Sequence, residues 1–187
     1  MLGEISTFLL TTLTSIIVFV ILLRFFLQLV RANFRNPLAQ AIVQLTSPLV
    51  VPVRRVVPAF GKFDTATLLV AYVVQLVMTL TLTLLQGVPP YAAMLWIALF
   101  SLVFASIQLF TFAIIISVII SWIAPGNYNP ASALVNDLVE PLLRPIRSKV
   151  PPMGGLDLSP LLAILALGVL QIIARNLMGG FSRSFLF

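Results

Sequence analysis

Four apolar stretches, each long enough to cross a bilayer, constrain this chain more than any other feature. They cover residues 5–30, 65–85, 92–123 and 158–177, and about 20 mostly apolar residues suffice to span about 30 Å of hydrocarbon. Composition agrees. Of 187 residues, 60% are hydrophobic and 9% charged, against about 25% charged in a soluble domain. One water-soluble core cannot bury that much apolar surface, so the chain reads as an all-α membrane protein with four transmembrane helices. As straight helix, residues 92–123 would run roughly 48 Å, so part of it projects from the bilayer or the helix breaks. Glu4 and the absence of a basic leading segment make the first stretch a retained span rather than a cleaved signal.

Charge placement gives an orientation. The chain carries 11 Lys plus Arg against 5 Asp plus Glu, a net charge of +6. Arg31, Arg35, Arg54, Arg55 and Lys62 lie between the first two stretches, and Arg144, Arg147 and Lys149 between the last two. The opposite side has only Arg175 and Arg183. Basic loops stay in the cytoplasm, so both long loops are expected there. Both termini and the turn Gly87-Val88-Pro89-Pro90 then face the periplasm. The basic residues flank apolar segments and form no run, which points to anionic lipid headgroups and not to nucleic acid.

Self-comparison reveals a duplication. Asn36-Pro37 recurs as Asn129-Pro130, an offset of 129 − 36 = 93. Without gaps, that register superposes Pro48 on Pro141, Pro52 on Pro145, Arg54 on Arg147, Pro58 on Pro151, Gly61 on Gly154 and Asp64 on Asp157. Each unit holds two spans, so both copies insert the same way up, related by a pseudo-two-fold axis along the membrane normal. The expected units are residues 1–91 and 92–187. Within each loop, Asn36 or Asn129 is placed to N-cap a short helix with Pro at its first position. Leu38, Ala41, Ile42, Leu45 and Leu49 share one face of it, as do Leu134, Leu138 and Leu142 in the second copy. About three turns suit the interface plane. The prolines that follow, four residues apart, are expected to end regular helix. Asp64 and Asp157 stand where acidic N-caps would begin the second and fourth spans, and each is expected to pair with Arg54 or Arg147, including across the pseudo-dyad.

This doubled loop resembles the YggT (YlmG) family of small membrane proteins. The residues that carry the likeness are Asn36-Pro37, the run from Thr46 to Pro58, Gly61 and Asp64 in the first copy. In the second they are Asn129-Pro130, Glu140-Pro141-Leu142-Leu143-Arg144-Pro145-Ile146-Arg147, Pro151, Gly154, Asp157, Ser159 and Pro160. Ser47 stands where the family has an acidic residue. The resemblance implies a two-repeat bacterial inner-membrane protein, similar to members tied to osmotic stress protection or ion homeostasis. It also implies relatives associated with cell-division gene clusters and with assembly of a plastid cytochrome complex, hence a scaffold or assembly role as the alternative.

Chemistry-bearing residues are few. Neither Cys nor His occurs, which excludes thiol nucleophiles, Cys/His metal sites and His/Cys haem ligation. Of the five acids, only Asp137 and Glu140 are close in sequence, and nothing near them completes an acid–base constellation. No catalytic activity, cofactor or metal is expected. Glu140 is expected to pair with Arg144 or Arg147 at the headgroups. The candidate working surface is Arg54, Arg55, Asp64, Glu140, Arg144, Arg147 and Asp157, facing lipid headgroups, a second copy or another membrane protein. Inside the spans, Arg24 is expected to snorkel to the nearer interface. Gln75 and Gln108 lie on polar stripes that read as helix-packing seams bonded between helices, with a hydrophilic path as the sharper alternative.

Overall fold

The computed structural model describes residues 2–87, 92–123, 129–150 and 157–184. Six helices follow in order: α1 (Leu2–Leu29), α2 (Pro37–Arg54), α3 (Thr65–Leu85), α4 (Ala93–Ile123), α5 (Pro130–Arg147) and α6 (Ser159–Ser184). α1, α3, α4 and α6 carry the four membrane spans. The 93-residue register holds at the helix ends: α2 and α5 start at Pro37 and Pro130 and stop at Arg54 and Arg147. The expected turn at 88–90 and the matches at Pro151 and Gly154 lie outside the described residues.

α4 is one unbroken helix of 31 residues, so it projects rather than breaks. Trp96 and Trp122 stand 26 residues apart on it (122 − 96), about 39 Å at the α-helical rise. That is the separation of the two interfacial zones in which Trp is enriched.

The short helices start as their sequences dictate. Asn36 Oδ1 accepts from the Leu38 N–H at 2.9 Å. Asn129 forms a full capping box with Ser132 (2.8 and 3.1 Å), so each leads a Pro at N1. Their length corrects the sequence expectation. α2 runs through Pro48 and Pro52, and α5 through Pro141 and Pro145, each for 18 residues. Residues four apart share one helix face, and all four prolines lie on exposed surface. The carbonyls they leave free, and the rings that would otherwise clash, therefore face outward, where a bend is tolerated and polar groups can solvate the backbone. The two copies differ in what else they expose. α2 turns Leu38, Leu45 and Leu49 outward and buries Ala39, Thr46 and Val50. α5 buries Leu134 and Leu138 and exposes Asn136, Glu140 and Arg144.

Two turns link the short helices to the spans. α1 ends in a Schellman arrangement, Ala32 N–H to Leu27 O at 2.9 Å and Arg31 N–H to Gln28 O at 3.1 Å, with Arg31 in the left-handed region at φ 58°. Gly61, at φ 60°, turns the chain where Phe60 and Phe63 exchange backbone bonds at 3.0 and 2.9 Å.

The core lies toward the side of α2 and α5. Ile21, Leu22 and Leu27 of α1, Val50 of α2, Ala66 and Ala71 of α3, Leu109 and Ile114 of α4 and Val139 of α5 are all buried. The outer half of α1, by contrast, exposes Ile5, Phe8, Leu9 and Leu13. The repeats pack unequally. α3 touches its own α1 and also α4 of the other repeat, whereas α6 packs on α4 and α5 and, among the described residues, stays clear of α1.

Candidate functional site

At the ends of α2 and α5, each repeat closes on itself through an arginine and an aspartate ten residues later. Arg54 pairs with Asp64, which is fully buried; the same carboxylate accepts from Thr67 Oγ1 at 2.6 Å and Thr67 N–H at 3.3 Å, capping α3. In the second copy Arg147 donates to Asp157 from Nε (3.0 Å) and Nη2 (2.9 Å) and reaches Glu140 Oε2 at 3.2 Å. Asp157 also accepts the Ser159 N–H at 2.9 Å, at the start of α6. The pairing is as expected, but it stays within each repeat and does not cross the pseudo-dyad. In the first copy the turn at Gly61 brings Asp64 back to the end of α2, so the local partner is reached first. Burial alone would raise the Asp157 pKa, but hydrogen bonds from Ser159 and then Arg147 outweigh it and hold the carboxyl below its usual value. For Arg147, burial pulls down while Asp157 and then Glu140 push up, and the net direction is upward. Arg55 and Arg144, also on the candidate surface, are exposed.

Arg24 does not snorkel into water. It is 4% exposed, and its Nη1 donates to Thr46 Oγ1 at 2.7 Å, Val43 O at 3.2 Å and Ser47 Oγ at 3.4 Å. The guanidinium reaches α2 rather than solvent, because α2 lies over this part of α1 and supplies oxygen acceptors first. These groups also sit on the turn that precedes Pro48, where the regular helix bonding is interrupted. At the equivalent place in the second repeat, Ser117 Oγ donates to Asn136 Oδ1 at 3.3 Å. Ser117 and Asn136 are the 93-residue partners of Arg24 and Val43. The contact between span and short helix is thus duplicated although the arginine is not.

Two bonds lock the repeats together on this side, and sequence reading did not find them. Asn36 Nδ2 donates to Pro130 O at 2.6 Å, and the Asn33 N–H donates to Asp137 Oδ2 at 3.2 Å. Asn36 and Asp137 were legible as a cap and a surface acid; their cross-repeat roles depend on how α2 and α5 dock.

The other candidate residues, Gln75 and Gln108, come together at the middle of their helices. Gln75 is the central residue of α3 and Gln108 of α4, and Ser15 lies within one residue of the centre of α1. All three line one cavity of about 300 Å³. A second, of about 780 Å³, is lined by α1, α4 and Gln171 of α6 and shares Ser15, Phe19 and Gln108 with the first. The two are mates under the repeat. Ser101, Phe104, Ala105 and Gln108 of the smaller one shift by 93 onto Phe8, Thr11, Thr12 and Ser15 of the larger. Their sizes differ because α3 packs against α4 while α6 leaves α1 alone.

The stripes divide: Gln75, Ser101, Ala105 and Gln108 line the cavity, whereas Thr79 and Ala98 are buried. Thr79, Thr83 and Ser101 donate back to their own helices, at 2.9, 2.8 and 2.8 Å to the carbonyls four residues earlier, and Thr83 Oγ1 also reaches Met94 Sδ of α4 at 3.7 Å. Among the described residues, the amides of Gln75, Gln108 and Gln171 bond to nothing in the chain. Ser15 and Gln171 escaped sequence reading, though Ser15 is the 93-residue partner of Gln108 and could have been found that way. Chemically this is a neutral lining of amides and hydroxyls. Among the described residues no acidic cluster suited to a metal occurs.

The CCB3/YggT family model matches twice, at residues 3–85 and 96–178, again 93 apart (96 − 3). An uncharacterized protein of Pseudomonas aeruginosa is 44% identical over 174 residues, covering 91% of this chain and 88% of the relative. The uncharacterized protein YggT of Escherichia coli is 37% identical over 167 residues, 89% of this chain and 87% of its own. The ycf19 protein of Porphyra purpurea is 31% identical over only 70 residues, 37% of this chain but 74% of the relative, which fits a single repeat. No solved structure matches. The same 93-residue period appears in the sequence, in the helix ends and in the family match, and the chain belongs to the CCB3/YggT family.

Proposed function

We propose that this protein serves osmotic or ion homeostasis from a bacterial inner membrane, with α2 and α5 on the cytoplasmic face and both termini periplasmic. The observation that carries this reading is the polar lining of Ser15, Gln75 and Gln108 at the middle of their helices, between the repeats. Repeat-built carriers hold their solutes at the midplane, at the repeat interface. The orientation draws on eight Lys and Arg residues beside α2 and α5 against Arg175 and Arg183 opposite. Reconstitution into proteoliposomes under potassium or sodium gradients tests the role. Protein-dependent flux that Gln108→Leu lowers several-fold is the expected result; folded protein that passes neither ion refutes direct transport.

A scaffold or assembly role is the second reading, favoured by the bonds that join α2 and α5 into one surface. Arg55 and Arg144 are its probes, because they are exposed, whereas reversing Arg54 or Arg147 would break the ties to Asp64 and Asp157. Arg55→Glu combined with Arg144→Glu should abolish in-membrane crosslinking to a partner at unchanged expression. Unaltered crosslinking counts against this reading.

A further inference from the structure

The larger cavity differs from the smaller in what can reach it. Its lining on α1 and α4 extends no more than seven residues from Ser15 and from Gln108, about 10 Å along each helix. The hydrocarbon half-thickness is about 15 Å, so the cavity lies wholly within it. Phe8, Ile16 and Phe112 at its wall are 66%, 56% and 62% exposed on the lipid-facing surface. Access is therefore from the acyl chains and not from water.

Its floor is polar all the same. Ser15, Gln108 and Gln171 line it, and among the described residues the two amides have no partner in the chain. Leaving a polar group unpaired in an apolar medium is unfavourable, so a hydrogen-bonding occupant is favoured over a bare lipid tail. No lining residue is ionisable, which disfavours a charged occupant at this depth. Size narrows the choice again. About 780 Å³ falls in the range of small-molecule sites, about 300–1,000 Å³. A transmembrane helix about 10 Å across and 30 Å long fills about 2,400 Å³, too much for this space.

We propose that this cavity binds an uncharged, membrane-dissolved molecule whose head carries hydrogen-bonding carbonyl groups, the chemistry shared by a quinone ring and by the ester head of a diacylglycerol. Gln108 and Gln171 donate to the carbonyls, Ser15 supplies a hydroxyl, and Phe19 and Phe112, themselves a repeat pair, wall the ring or ester. The smaller cavity, at about 300 Å³ and with α3 packed against α4 beside it, leaves less room for the same ligand. This site does not depend on ion movement, and its test reads binding alone.

The measurement is equilibrium binding of a radiolabelled short-tailed quinone, and separately of a short-chain diacylglycerol, to the full chain in phosphatidylcholine nanodiscs. Saturable binding of one probe per chain is expected, and the probe that binds identifies the source of the head. Gln108→Leu with Gln171→Leu should weaken it at least tenfold, with an unfolding midpoint close to that of the parent. Thr81→Val, outside both cavities, should change it less than twofold. Neither probe binding saturably, or equal binding by the double variant, overturns the proposal. So does a homodimer that the double variant dissociates, because a second copy then occupies the groove.

Discussion

Asp64 and Asp157 are the same residue of the repeat in two environments. Asp64 is fully buried and satisfies Arg54 and both donors of Thr67. Asp157 keeps a third of its side chain exposed and shares Arg147 with Glu140. Asp64→Ala leaves a guanidinium and the first turn of α3 without their acceptor, for an expected loss of about 1–3 kcal/mol. Asp157→Ala removes a partly solvated pair, for about 0.5–1 kcal/mol. Chemical unfolding in detergent micelles checks the order, and equal losses would mean that burial does not separate the two copies. The Asp157 tie also has a pH signature. Its folded pKa is depressed below the ordinary 3.8, so its stabilisation is complete at neutral pH and is lost only as the pH falls through that depressed value. Between pH 5 and 8 the Asp157→Ala penalty should be constant.

At the scale of elements, the spans and both N-caps were legible because hydropathy and the Asn-Pro start are local signals. The prolines misled. Local rules end a helix at Pro48 or Pro141, and only packing reveals that the prolines fall on the exposed side, where α2 and α5 accommodate them. Arg24 shows the same limit. Its depth was evident from the sequence, but its acceptors on Thr46 and Val43 exist only once α2 folds back over α1. Gln75 and Gln108 were visible as polar residues in apolar helices. That they share a cavity with Ser15 follows from the crossing of α1, α3 and α4, which no single-helix pattern encodes.

At the scale of the whole molecule, duplication explains both the likeness of the halves and where they part. Equivalent Arg–Asp ties, caps and cavities recur 93 residues apart. The second copy has Ser117 for Arg24 and Glu140 for Ser47, and among the described residues α6 lacks the cross-repeat contact that α3 makes. A gene-doubled bundle can keep one interface tight and open the other, which is how a symmetric ancestor would acquire one smaller and one larger cavity. All of this requires that the two repeats insert in parallel, with α2 and α5 side by side at one membrane face. The chain has no cysteine, so a variant combining Asn33→Cys with Asp137→Cys reports directly on the place where the Asn33 N–H meets Asp137 at 3.2 Å. Oxidation in intact membranes should give an intramolecular disulfide in most of the protein. Two thiols labelled from opposite faces, with no disulfide formed, would contradict the parallel arrangement.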